Sequence, residues 1–146
     1  MAEDRRRKAD RQKRQKVDRK QKAEDRRAKL LQGVKDLKVY QLSSELAVRV
    51  FEITKRFPKE ESYSLTDQIR RSSRSVTVNI REGFAKRRYK PVFTRHLVDA
   101  LGSNEETREW LNFSLKFQYI TQKDFDTLDQ RHDEVTAMLY SLIKKI

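Results

Sequence analysis

From Val34 onward, apolar side chains return every three or four residues, the repeat of one helix face. Val39, Leu42, Leu46, Val50, Ile53 and Phe57 mark a first helix. Pro58 stops it, because the residue before a proline avoids the α region. Ser64 and Asp67 stand three apart like a capping box with Asp in the usual Glu place. They open a second helix whose buried face carries Leu65, Ile69, Val76 and Ile80. Gly83 either admits a neighbouring helix at close range or begins the helix end. Pro91 suits a first helical position. Phe93, Leu97, Ala100, Asn104, Thr107, Leu111 and Leu115 continue a third helix that ends before Tyr119. Thr121 and Asp124 cap a fourth, carried by Phe125, Leu128, His132, Val135, Met138 or Leu139, Leu142 and Ile146. Four amphipathic helices with short connections predict an all-α, antiparallel up-down-up-down four-helix bundle over residues 34–146.

Residues 1–33 break this pattern. Between Met1 and Leu30 the only sizeable aliphatic is Val17, so the segment cannot bury enough surface to offset its ordering entropy. Its Ala, Lys, Arg, Gln and Glu nevertheless favour helix. The expectation is a basic N-terminal extension, helical or disordered, that firms up on a partner or serves only as a solubilising tail. Residues 1–32 hold 14 Lys or Arg against six Asp or Glu; the other 114 hold 21 against 16. The tail thus supplies more than half of the net charge of +13. Such an excess attracts polyanions: RNA, DNA or an anionic surface.

Other classes fall away. Three Gly and two Pro leave too few turns for an all-β fold. The absence of Cys removes disulfides and thiolate metal sites. No apolar run reaches the roughly 20 residues of a membrane span, and the N-terminus has no apolar signal core. Glu3, Asp4, Asp10, Asp18, Glu24 and Asp25 argue against a transit peptide. The expected setting is cytoplasmic, with no membrane partner.

Three constellations are candidates for function. On the second helix, Arg70, Arg74 and Arg81 fall within about 40° of one another; Arg71 lies beside them, Lys86 and Arg87 extend the charge, and Arg88 joins if the helix runs on. Arg forks match phosphate oxygens, so such a row can track a nucleic-acid backbone, as can Arg5, Arg6, Arg7, Arg11 and Arg14 of the tail. The plainer reading of the row is a solvated outer face. Aromatics are not interleaved with these basic runs, so no stacking platform is evident. Second, Gln68, Ser72, Ser75, Asn79 and Glu82 edge the apolar face, and Ser103, Asn104 and Glu105 interrupt the third helix. An inter-helix hydrogen-bond network is favoured over a ligand pocket, because half-satisfied polar groups near a core are costly. Third, Trp110, Phe113 and Phe117 form a second apolar stripe that suits an oligomer interface, or else a cap on one end of the core. Asp129 and His132 make only half of a carboxylate-bridged metal motif. No Gly-rich phosphate loop or nucleophile motif is present. The chain therefore reads as a binding protein with no enzyme activity, metal or cofactor.

The run from Gln68 to Gly83, Q-I-R-R-S-S-R-S-V-T-V-N-I-R-E-G, resembles the signature of the bacterial four-helix bundle family encoded in intervening sequences of 23S ribosomal RNA genes. Leu37-Lys38-Val39-Tyr40-Gln41-Leu42, Phe57 to Leu65 and Leu101-Gly102-Ser103-Asn104-Glu105-Glu106 resemble further family segments, in order. The resemblance covers roughly Val34 to Ile146. It implies a bundle, a ring-shaped homo-oligomer with a pentamer as the expected count, and no enzymatic activity. It marks Gln68, Asn79, Glu82, Gly83, Ser103 and Glu105 or Glu106 as characteristic positions. More distantly the chain resembles the accessory variability determinant protein of diversity-generating retroelements, a basic pentameric bundle that binds nucleic acid and a reverse transcriptase. The tail is outside the family pattern, and Arg81 stands where the family has a small residue. Two functions follow as expectations: an oligomer that binds RNA or DNA backbone, or a scaffold that serves a reverse transcriptase or a ribosome-associated factor.

Overall fold

In the computed structural model the chain is helical from end to end. Helix α1 spans Ala2–Asp36, α2 Lys38–Thr54, α3 Leu65–Ala85, α4 Lys90–Lys116 and α5 Gln122–Lys145, with one 3-10 turn at Lys59–Glu61 between α2 and α3. The structure describes the backbone throughout and the side chains of residues 1–23 and 33–146. Two compact units result, Met1–Val34 and Lys35–Ile146.

Over residues 1–23 the first unit is helix without a core. Every side chain from Met1 to Ala23 is exposed. Its helicity rests on strong helix formers and on charge order. Glu3 and Arg7, Asp4 and Lys8, Asp10 and Arg14, and Asp18 and Lys22 each place an acid four residues before a base, the favourable polarity, although among the described residues none of these pairs closes to ion-pair distance. Glu3 and Asp4 also sit in the first turn, against the positive end of the helix dipole.

The second unit is held by burial. Helix α2 packs on α3 and α5, and α4 packs on α3 and α5. Leu46, Ile69, Ile80, Leu97, Leu111, Leu128 and Leu139 lose essentially all exposure, about 1.5–3 kcal/mol each relative to water. These are positions the three-and-four spacing marks, or, at Leu139, one of two it leaves open. Among the described residues no helix is long and apolar enough to cross a membrane.

The ends of the helices depart from expectation in instructive ways. Helix α2 stops at Thr54, and Phe57 folds in through a turn, its N–H 3.1 Å from the Thr54 carbonyl. The capping box at Ser64 does not close. Ser64 Oγ accepts from the Leu65 N–H at 2.7 Å and Glu61 Oε2 shares that donor at 3.1 Å, while Asp67 turns to Arg71. At α5 the expected cap is present: Thr121 Oγ1 accepts from the Asp124 N–H at 3.1 Å. Gly83 serves close approach. A Cβ there would lie 2.7 Å from the His96 Cβ and 3.3 Å from the Phe93 ring, so only hydrogen lets α3 and α4 meet at this point.

Candidate nucleic-acid interface and the polar network

Helix α3 does not present its arginines as one free row. Arg70 Nε donates to Thr54 Oγ1 at 2.8 Å, and its guanidinium lies 4.7 Å from the centre of the Phe51 ring. Arg71 pairs with Asp67 at 3.0 Å. Arg74 is exposed beside the same Phe51 ring, at 5.9 Å. Arg81 is exposed and reaches the Tyr40 hydroxyl at 3.4 Å. The helix ends at Ala85, so Arg88 does not continue the stripe; it stands exposed in the turn before α4. In that turn Lys86 Nζ is 3.4 Å from His96 Nε2, and Arg87 covers the Phe84 ring at 4.0 Å. The expected separation of aromatics from cations also fails in space. Phe51 of α2 sits among Lys55, Arg70 and Arg74, a juxtaposition that requires α2 to pack on α3.

The tail arginines differ. Among the described residues, the side chains of Arg5, Arg6, Arg7, Arg11 and Arg14 are exposed and enter no ion pair. A cation without an intramolecular partner is available to an external anion.

The polar positions are joined across helices. Ser75 and Ser103 share a hydrogen bond of 2.9 Å, and Asn79 Nδ2 donates to Ser75 Oγ at 3.1 Å and to its carbonyl at 3.0 Å. Asn79 Oδ1 faces His96 Nδ1 at 3.3 Å, with Glu82 Oε2 3.9 Å from the same nitrogen. Glu105 accepts from Thr136 Oγ1 at 2.7 Å and from Arg108 at 3.1 Å. Gln68 is not drawn in; it is exposed on a groove lined also by Leu65 and the Trp110 stripe. Deeper, Thr107 Oγ1 donates to Ser72 Oγ at 2.8 Å, and Asn104 Nδ2 donates to the His132 carbonyl at 2.8 Å and to Thr136 Oγ1 at 3.0 Å. This arrangement bolts α3 to α4 and α4 to α5; each buried bond would be expensive to leave open.

His96, Arg108 and Thr136 are the members that sequence reasoning missed. Each finds partners on another helix, and no local spacing signals that. Arg108 grips Asp129 with two bonds, 2.8 and 3.2 Å, and touches Asp133 at 3.2 Å. Its hydrogen bonds to Asp129, outweighing partial burial and aided by the charge of Glu105, hold the guanidinium above its ordinary range. Asp129 is therefore engaged by Arg108. His132 is buried, with Nδ1 2.7 Å from the Leu128 carbonyl; burial pushes its pKa down despite that bond. Among the described residues no group of three or more His, Asp or Glu side chains is placed to hold a metal.

The aromatic stripe runs on into the core's end. Trp110, Phe113, Phe117, Tyr119 and Phe57 form a chain of tilted rings with centres 6.1, 5.7, 5.8 and 5.3 Å apart. Phe57 is buried, while Phe117 is about half exposed. The indole N–H of Trp110 is buried without an acceptor among the described residues.

The family profile described as 23S rRNA-intervening sequence protein matches residues 35–141. A crystal structure of a protein of unknown function from the S23 ribosomal protein family of Bacteroides thetaiotaomicron VPI-5482 is similar, at 31% identity and a TM-score of 0.67. The match covers 73% of this chain and 95% of that one. None of the curated proteins compared with the chain matches it.

Proposed function

We propose that this chain, which belongs to the family of 23S rRNA-intervening sequence proteins, is a non-catalytic, oligomeric binder of nucleic-acid backbone built on an antiparallel four-helix bundle. The bundle reading is supported by contact order. As residue number rises along α2 from Tyr40 through Ser43 to Thr54, its α3 partners fall from Arg81 through Thr77 to Arg70. The same inversion links α3 to α4 through Ser72–Thr107, Ser75–Ser103 and Asn79–His96, as four helices in up-down-up-down order require.

The observation that carries nucleic-acid binding is the exposed cationic surface of α1, where, among the described residues, no ion pair neutralises Arg5, Arg6, Arg7, Arg11 or Arg14. The exposed cations of the α3–α4 turn, Lys86 and Arg88 with Arg87, add to it. Arg71 contributes less because Asp67 already neutralises it. A neighbour assigned to a ribosomal protein family fits an RNA partner. Contacts of this kind read phosphate and carry little sequence preference.

Titration of the full chain with labelled single-stranded RNA and duplex DNA tests this reading. Binding should be evident near 50 mM salt and fall steeply by about 200 mM. Absence of binding at low salt, or affinity that ignores salt, would sink it. Pull-downs with and without nuclease separate the alternative: partners that survive nuclease identify a protein scaffold instead.

A further inference from the structure

The assembly proposed above leaves open which surfaces meet, and two surfaces of the second unit complement each other. The first is a groove of about 380 Å³ between α2 and α3, lined by Val48, Phe51, Arg74 and Val78 with the small Ala47 and Ser44. Val48 and Val78 are about half exposed there, 55% and 51%. Apolar exposure of this kind, gathered in one groove, marks an interaction surface. Its rim is cationic. Lys55, Arg70 and Arg74 gather around one ring, at 4.9, 4.7 and 5.9 Å from its centre. Among the described residues, none of the three has a carboxylate within ion-pair distance.

The second surface is the outer face of α4. Val98, Asp99, Gly102 and Glu106 fall within about 100° on the helix, and all four are exposed. Asp99 and Glu106 also lack an ion-pair partner among the described residues. Gly102 is the anomaly. A glycine inside a helix is unfavourable, and Gly83 repays it by admitting His96. A Cβ on Gly102 would meet nothing within 4 Å, so no contact inside the subunit asks for glycine. A helix face that is small at its centre, acidic at its flanks and apolar beside them suits close approach to a groove that is apolar inside and cationic at its rim.

We infer that the α2–α3 groove of one copy receives the outer face of α4 from a second copy, with Asp99 and Glu106 meeting the cations around Phe51 and Gly102 letting the helix settle over Val48 and Val78. This rests on the oligomeric reading. Because the two surfaces differ, the contact is head-to-tail, and the rotation between copies decides whether it closes a ring or runs on as a filament. It also removes Arg70 and Arg74 from the phosphate-binding set and assigns them to assembly.

Sedimentation velocity of the full chain, with circular dichroism to check folding, tests it. The wild-type protein should sediment as a multiple of 17.5 kDa. Lys55→Glu with Arg74→Glu, and separately Asp99→Arg with Glu106→Arg, should each weaken assembly by roughly tenfold or more; the combined quadruple variant, which reverses the sign of both surfaces, should recover it. Gly102→Trp should lower the mass while leaving helix content intact. Retention of the wild-type mass by all single-surface variants would place the interface elsewhere and leave the oligomeric reading standing. Failure of the quadruple variant to recover would overturn the pairing. A wild-type monomer at every concentration would remove the oligomeric reading and this inference together. Loss of nucleic-acid affinity in the variant joining Lys55→Glu and Arg74→Glu, with unchanged mass, would make the groove a phosphate site instead.

Discussion

Helix α1 and the unit from Lys35 to Ile146 are both helical, yet for opposite reasons. In α1 the helix is a local product. Propensity and acid-to-base spacing favour it, each by fractions of a kcal/mol, and none of its described side chains up to Ala23 is buried. In the second unit tertiary burial dominates, and polar residues are admitted only where another helix satisfies them. The same contrast governs charge. Arg70, Arg71 and Arg108 are each held by a neighbour; the tail arginines named above are held by none. Charge count alone therefore overstates α3 as a binding surface and understates α1.

Substitutions of packed or internally paired residues in the second unit sharpen that contrast, because they should move stability more than backbone binding. Asn104→Ala should have the largest effect. It removes donors from the His132 carbonyl and from Thr136 and opens a void among buried side chains. A loss of about 2–4 kcal/mol is expected in chemical denaturation. Gly83→Ala should follow at about 1–3 kcal/mol, since its Cβ would press on His96 and α3 and α4 would have to part.

Acid should act through His132. Its folded pKa lies below the ordinary 6.5, so the unfolded chain binds the proton more readily. The stability contribution is complete above about pH 6.5 and declines as pH falls below it, by at most about 1.4 kcal/mol per unit. Denaturation midpoints measured between about pH 7 and 5 should show this slope, and His132→Leu should flatten it. Smallest is Arg71→Ala. Its exposed pair with Asp67 should contribute no more than about 0.5 kcal/mol to the denaturation midpoint.

Most of the helical framework was legible in the sequence because burial imposes a period. Val39, Leu46, Ile69, Leu97, Leu111 and Val135 lie where spacing puts them, and Thr121 caps α5 as its spacing with Asp124 predicts. Helix ends were less legible, since Ser64 had two nearby acids: the Ser64 N–H goes to the backbone carbonyl of Glu61, whose carboxylate accepts from the Leu65 N–H, and Asp67 is left to Arg71. The candidate site was legible only as composition. Nothing local tells that Arg70 reaches Thr54 sixteen residues away, that Phe51 collects three cations, or that His96 completes the Asn79 and Glu82 cluster. Such facts belong to helix pairing, which the periodic pattern permits without specifying. Gly102 was visible within a family-like segment, but its emptiness required the fold.

The central claim is that unpaired charge on α1 holds nucleic acid. The most direct measurement compares the wild-type chain with a full-length variant in which Arg5, Arg6, Arg7, Arg11 and Arg14 are all Gln, which preserves helix propensity while removing charge. Fluorescence anisotropy with labelled single-stranded RNA across a salt series should show weaker binding for the variant, and a log–log salt slope shallower by as much as about 3–4. Equal affinity and equal slope for the two proteins would contradict the account.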